Sequence, residues 1–212
     1  MKRRTSLFLS VVMLVVSAGG VAGWRWWHNR PPYGPQALSA TATLRMVDQA
    51  TADAALDPVT VVSAEKGDQI ILGQVSWRRP PQHPDGGSFR IVVLDKRTQL
   101  LPGHLAVKSP WPDEVFVGSD GAQDRAQDRY SWLQGAGTRE IDGRTWGGGN
   151  VIFATSIYAS PVTFALVLQP ARPGTPPGLL VASAPIQVDD LLVALINVGP
   201  DGQVYWAHRL LN

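Results

Sequence analysis

The sequence predicts a mainly β fold, in which a single-pass N-terminal transmembrane helix precedes an antiparallel β-sandwich-like domain. Residues 7–23 carry no charge and no proline, and with the tryptophans that follow they reach the length of one membrane span. Beyond residue 58, short β-branched and apolar runs alternate with turn residues, at the spacing of roughly 8–12 residues that is typical of sandwiches and barrels. Strands do not alternate with helical patterns, so a parallel α/β sheet is not expected.

The N-terminal segment predicts both topology and location. Three basic residues at positions 2–4 outnumber Arg25 and Arg30 behind the apolar run, which favours a cytoplasmic N-terminus at residues 1–6. The transmembrane helix is expected over residues 7–27, with Trp24, Trp26 and Trp27 at the headgroup level. A cleaved signal peptide is the alternative, because small residues lie near position 23. Cleavage would leave a bare tryptophan-rich N-terminus, so an uncleaved signal anchor in the cell membrane is favoured.

The composition of the remaining chain excludes several classes of function. A proline-rich linker is expected at residues 28–36 and one extracytoplasmic β-rich domain at residues 37–212. Without the three basic residues at 2–4, the chain holds 16 Lys+Arg against 17 Asp+Glu, a net charge of −1. That balance predicts no nucleic-acid partner. The absence of cysteine excludes disulfides, thiolate metal sites and cysteine nucleophiles.

Secondary structure was predicted from periodicity and turn residues. A short helix is expected within residues 37–56, and helical spacing recurs over residues 120–129. Residues 150–159 and 162–168 are expected to form a hairpin, and the Gly-Pro-Asp-Gly turn at 199–202 a second one between strands 191–198 and 203–210. The remaining strands are expected at 59–64, 69–77 (after a turn at 65–68), 88–94, 114–117 and 179–184.

No catalytic signature is present, so the sequence predicts no catalytic, cofactor-binding or metal-binding residue and a protein that is not an enzyme. The four histidines have no metal-ligand spacing, and a metal site would need distant loop residues such as His83, Asp85 and His104. Ser119 lies in Gly-Ser-Asp-Gly, which lacks the nucleophile elbow. Carboxylates at 120, 124 and 128 fit a solvated helix face paired with Arg125 and Arg129, and further acidic pairs lie at 113–114 and at 140 and 142.

A glycine-rich segment carries the candidate ligand-binding residues. Aromatic faces and polar groups in such a loop are suited to stack a sugar or grip a peptide. The competing interpretation, which the sequence favours, is that Trp132 and Trp146 fill the core. A core position is expected more strongly for three other tryptophans: Trp77, Trp111 and Trp206. The candidate ligand-binding residues are Tyr130, Trp132, Arg139, Asp142, Arg144 and Trp146.

Three functional hypotheses follow. The first is a non-enzymatic envelope interaction module that contacts the lipid bilayer through its N-terminal helix and binds another envelope protein. The second is a glycan or small-ligand binding module that uses Trp132 and Trp146. The third, least favoured, is a hydrolase whose site is assembled from loop residues such as His104, Asp113 and Glu114. No cofactor is expected in any of them.

Overall fold

The computed structural model describes residues 19–21, 23, 31–82, 87–96, 104–109, 115–117, 121–133, 138–141, 144–147, 150–154, 161–168 and 186–211. The chain divides into two compact units, Met1–Pro32 and Tyr33–Asn212. In the first unit, residues 19–21 and 23 are helical, and the rest of the predicted span at 7–27 lies outside the described residues. No helix within the described part of the chain has the length and apolar character to cross a membrane.

The second unit is mainly β and is built from two antiparallel sheets, which confirms a β-sandwich-like domain. The four-stranded sheet has the order β1-β2-β9-β4 and the five-stranded sheet the order β11-β10-β3-β8-β5, while β6 and β7 form a separate ribbon. The strands are β1 (Thr41–Val47), β2 (Gln69–Ser76), β3 (Ser88–Asp95), β4 (His104–Lys108), β5 (Val115–Val117), β6 (Thr138–Ile141), β7 (Arg144–Gly147), β8 (Asn150–Ala154), β9 (Val162–Leu168), β10 (Leu191–Val198) and β11 (Val204–Leu211).

The central core lies between the two sheets and includes alternate residues of β2, β3, β9 and β10. One row across the four-stranded sheet aligns Leu44, Gly73, Phe164 and Val107. Gly73 leaves the space that its neighbours occupy: a Cβ there would contact the Phe164 ring and lie 2.8 Å from Leu44 Cδ2. Because Gly73 has no side chain, the large Phe164 ring has room in the core beside it.

Both sheets also bury part of their outer faces, which was not predicted from the sequence. Helix α1 (Gln49–Leu56) packs Ala52 and Leu56 on the four-stranded sheet, and α2 (Ala122–Arg129) packs Ala122 and Ala126 on the five-stranded sheet. The sequence signal was present in β10, whose continuous apolar run is buried at every position. The domain thus has helical cover on both sides of the sandwich.

The hairpin predicted from residues 150–159 and 162–168 is wrong. Strand β8 pairs with β3 and β5, whereas β9 pairs with β2 and β4 in the other sheet. Each strand already has neighbours on both edges, so neither has a free edge for the other. Adjacency in sequence suggested the pairing, but membership of a sheet is decided by long-range contacts.

Two further local predictions need correction. In residues 37–56 the helix occupies only the second half, because the threonine-rich first half forms β1. The strand predicted at residues 59–64 is wrong, since this segment is irregular. Val61 packs instead beside α1, and the Ala64 backbone N–H donates to Gln49 Oε1 at 2.9 Å. The predicted strand at 179–184 lies outside the described residues.

The C-terminal hairpin is confirmed together with its mechanism. Strands β10 and β11 pair antiparallel, and Gly202 has a φ of 78°. The Gly202 N–H donates to the Gly199 carbonyl at 2.9 Å, and Asp201 Oδ1 accepts from the Gln203 N–H at 3.0 Å. The predicted turn at residues 65–68 is also present, with the Asp68 N–H bonded to the Glu65 carbonyl.

Candidate functional site

The first two candidate ligand-binding residues, Tyr130 and Trp132, lie on the outer face of the five-stranded sheet. The Tyr130 N–H donates to the Ala126 carbonyl at 2.8 Å and ends α2. The chain then forms a 3₁₀ turn over Ser131–Leu133, in which Leu133 is fully buried against the sheet. Helix α2 and Leu133 therefore hold the intervening aromatic residues at the surface.

Two arginines flank these aromatic residues and complete what we call the arginine–aromatic cluster: Arg129, Tyr130, Trp132 and Arg209. The Arg129 guanidinium lies 5.5 Å from the Tyr130 ring centroid, and the Arg209 guanidinium lies 4.7 Å from that of Trp132. The two rings meet edge to face, with centroids 5.8 Å apart and planes at 61°. Both arginines are exposed and both rings are half-buried. A guanidinium cation is attracted to the face of an aromatic ring. The four side chains therefore hold one another in place and form one surface.

Arg129 also joins α2 to strand β11. Its Nη1 donates to the carbonyl oxygens of Val204 and Tyr205 at 3.1 and 3.0 Å. The sequence predicted that Arg129 pairs with the acidic stripe at 120, 124 and 128. Asp120 and the side chain of Asp124 lie outside the described residues, so that pairing stays a prediction. Asp128 is exposed, as predicted for a solvated face.

The remaining candidate ligand-binding residues belong to the ribbon of β6 and β7. In the register of the ribbon, Arg139 pairs with Trp146 and Arg144 with Ile141. The backbone of these residues is described but their side chains are not, and Asp142 lies outside the described residues. Their union with Tyr130 and Trp132 in one binding site stays a prediction.

The predicted core tryptophans Trp77 and Trp206 are confirmed, at 3% and 5% exposure. They lie in the central core with Phe89 and Tyr33, and Trp206 Nε1 donates to the Tyr33 carbonyl at 3.1 Å. Trp132 was expected to fill the sandwich core, but it packs instead against the outer-face cluster under α2. Trp111 lies outside the described residues.

A buried arginine accompanies the aromatic end of the core. Arg79 is 5% exposed, donates to the Gly87 carbonyl and lies 4.9 Å from the centroid of the Phe89 ring. Burial raises the pKa of the Tyr33 phenol, and the positive charge of Arg79 acts in the opposite direction. Because this charge is enclosed by core side chains, we assign Arg79 a structural role.

Within the described ranges, no three His, Asp or Glu residues come together as a metal site would require. The backbone of His104 begins β4, and His208 is half-buried in β11. His28, His83, Asp85, Asp113, Glu114 and Ser119 lie outside the described residues. The predictions about metals and catalysis therefore stay predictions.

Sequence reasoning identified half of the arginine–aromatic cluster and missed its two arginines as members. Arg129 directly precedes Tyr130, so its proximity was available from the sequence. Arg209 is far away in the chain and reaches Trp132 only through the position of β11 at the edge of its sheet. No local signal would have identified it.

Comparison with known proteins gives no identity: no protein-family model, no curated protein and no solved structure matches this chain. Function must be inferred from the residues themselves.

Proposed function

We propose that this chain is a membrane-anchored, non-enzymatic envelope module that binds another envelope protein through its arginine–aromatic cluster. The observation that supports the proposal is the composition and geometry of that cluster. Tryptophan, tyrosine and arginine are the residue types that carry most of the energy in protein interfaces. Here they are ordered against one another and remain accessible at the surface.

The geometry supports a protein partner better than a glycan. A sugar ring stacks on an open aromatic face, whereas the Arg209 guanidinium already lies over the ring of Trp132 at 4.7 Å. The exposed, positively charged side chains of Arg129 and Arg209 instead favour carboxylates on a partner. We therefore expect a partner surface with acidic side chains around an apolar contact.

The proposal includes the membrane anchor. Residues 7–27 form the single-pass helix, residues 1–6 are cytoplasmic, and the domain is extracytoplasmic beyond a linker at 28–36. The uncharged run and the charge asymmetry around it support this topology. In sealed membrane vesicles of known orientation, protease should reach the domain only from the extracytoplasmic side. The intact mass of the purified protein should include the N-terminal segment. A mass that corresponds to a chain starting near residue 24 would contradict the uncleaved anchor.

Site-specific photo-crosslinking of the full chain in its native membrane tests the binding proposal. A photoreactive residue at Ser131, which is exposed and lies between Tyr130 and Trp132 in the sequence, should form an adduct with one envelope protein. The same residue at exposed Glu65, a control position outside the cluster, should not.

The adduct must also depend on the cluster. Arg209→Ala and Trp132→Ala should each weaken binding of the identified partner by about tenfold or more, the effect of a hot-spot residue. Arg78→Ala removes another exposed arginine, outside the cluster, and should leave binding unchanged. An adduct that persists in both cluster variants would refute this site. Turnover of a cell-wall substrate by the full chain would refute the non-enzymatic proposal and favour a hydrolase.

A further inference from the structure

The segment at residues 33–38, which we call the strap, leads into β1 and is held in the central core at both ends. Its first residue, Tyr33, is 8% exposed, and its last, Leu38, is fully buried. Between them the chain forms a 3₁₀ turn, in which the Ala37 N–H donates to the Gly34 carbonyl at 3.1 Å. The Arg78 N–H donates to the Leu38 carbonyl at 3.0 Å and fixes the second end.

The first end of the strap is fixed by strand β11. The Trp206 Nε1 donates to the Tyr33 carbonyl at 3.1 Å, and the centroids of the two rings are 6.4 Å apart. The 3₁₀ turn of the strap also contacts β11. The position of the strap therefore depends on where β11 places the indole of Trp206.

The same stretch of β11 holds the arginine–aromatic cluster on the opposite face of the sheet. Just before the tryptophan, the carbonyls of Val204 and Tyr205 accept hydrogen bonds from Arg129 at 3.1 and 3.0 Å. Three residues after it, the Arg209 guanidinium lies 4.7 Å from the centroid of the Trp132 ring. One short piece of strand thus contacts the strap on its core side and the cluster on its outer side.

We propose that docking of the strap and binding of a partner at the arginine–aromatic cluster are coupled through β11. A docked strap fixes the position of Trp206, and with it the neighbouring carbonyls and the arginine that order the cluster. Such coupling passes through packed side chains and hydrogen bonds that share one rigid element. It is reciprocal, so a partner bound at the cluster also retains the strap. The role of the partner rests on the proposed function, whereas the coupling rests on contacts within this domain.

The coupling gives the cluster an influence on the tether. The strap contains the last residues of the proposed linker at 28–36. Release of the six residues at 33–38 lengthens the tether to the proposed anchor by up to about 20 Å, at about 3.4 Å per extended residue. A partner bound at the cluster therefore keeps the tether short.

Hydrogen–deuterium exchange of the full chain in detergent, without a partner, tests the coupling from the cluster to the strap. Arg129→Ala removes the two hydrogen bonds to β11, so the strap-protected amides of Ala37 and Arg78 should exchange about fivefold faster. Arg125→Ala is the matched control, because it removes an exposed arginine one turn earlier on the same helix. It should leave both amides unchanged.

The reverse direction is tested by Tyr33→Ala, which loosens the strap and leaves the sequence of β11 unchanged. The amides of Tyr130 and Leu133, which are bonded to the carbonyls of Ala126 and Tyr130, should exchange about fivefold faster. Val61→Ala removes part of a buried side chain beside α1 on the other sheet and is the control for a general loss of stability. It should leave the cluster amides unchanged.

Photo-crosslinking separates the coupling from the proposed function. Tyr33→Ala should lower the yield of the adduct from Ser131 about fivefold. If the wild type forms no adduct, the proposed function fails, and the exchange measurements still decide the coupling. Unchanged strap amides in Arg129→Ala would overturn the coupling. Equal acceleration of the cluster amides in Tyr33→Ala and Val61→Ala would overturn it as well.

Discussion

The two edge strands β1 and β11 lie on the same side of the sandwich, yet they are protected very differently. Strand β11 has two irregularities in its register with β10, and two of its carbonyls accept hydrogen bonds from Arg129. The 3₁₀ turn at Pro35–Leu38 also contacts it. Strand β1 has a regular register with β2, and it contacts β11 and the 3₁₀ turn at Val188–Asp190.

This difference shows that the two edge strands are protected in different ways. Bulges and side-chain caps remove an edge from pairing, and the fold applies both to β11. Strand β1 has no bulge in its register with β2, but it carries one exposed charge, Arg45, which also disfavours pairing. Substitutions that act on one edge and spare the other therefore test the comparison.

The largest effect is expected from Gly73→Ala, which disturbs the inner side of β1. The added methyl group meets the Phe164 ring and the Leu44 side chain, and overpacking of this kind costs about 3 kcal/mol of unfolding free energy. Denaturant unfolding measures the loss. Gly34→Ala is the control, since its methyl group meets only the flexible end of Gln36. Equal stability of the two variants would show that Leu44 and Phe164 do not need this space.

Trp206→Phe should loosen the segment that covers β11. It removes the hydrogen bond to the Tyr33 carbonyl and part of the buried indole, a loss of about 2 kcal/mol. Limited proteolysis should then cut residues 33–38 faster than in the wild type. Unchanged cleavage there would mean that Trp206 does not hold this segment.

Arg129→Ala should open the capped edge of β11. The carbonyls of Val204 and Tyr205 lose the hydrogen bonds from a charged donor. Because Arg129 is exposed to solvent, we expect a loss of only about 1 kcal/mol of unfolding free energy. Arg125→Ala removes an exposed arginine one turn earlier and should have little effect. Comparable losses in thermal unfolding would show that the two carbonyl contacts contribute nothing.

The smallest effect concerns the helix that directly follows β1. Hydrogen bonds from the Thr51 side chain and from the Thr51 backbone N–H, which donates at 2.8 Å, lower the pKa of the Asp48 carboxyl below its ordinary value of 3.8. Because the folded-state pKa is depressed, the stabilisation is present above pH 3.8 and is lost as the pH falls through the lower folded value. Asp48→Asn keeps an acceptor that does not titrate, so the wild type should lose stability relative to it in acid. If the unfolding free energies of the two proteins fall in parallel as the pH is lowered, Asp48 does not cap this helix.

Sequence reasoning succeeded where local chemistry decides the structure. The β10–β11 hairpin follows from Pro200, Asp201 and Gly202, whose conformational preferences act within four residues. The pairing of β8 and β9 was wrong because sheet membership depends on distant partners. For the same reason the sequence yielded Tyr130 and Trp132 but not Arg209.

The helical cover of the sheets was predictable only in part. The alanines at 122 and 126 have helical spacing, but their spacing does not say which surface they bury. The continuous apolar run of β10 indicated a strand buried on both faces, without identifying what covers the second face. Those answers depend on how the strands are ordered in space.

Hydrogen–deuterium exchange of the full chain and of its Arg129→Ala variant tests the difference between the two edges most directly. We predict that backbone amides of β11 exchange faster in the variant, while those of β1 exchange at the same rate in both proteins. Equal exchange of β11 in the two proteins, or a change confined to β1, would contradict the assignment of Arg129 as the cap of β11.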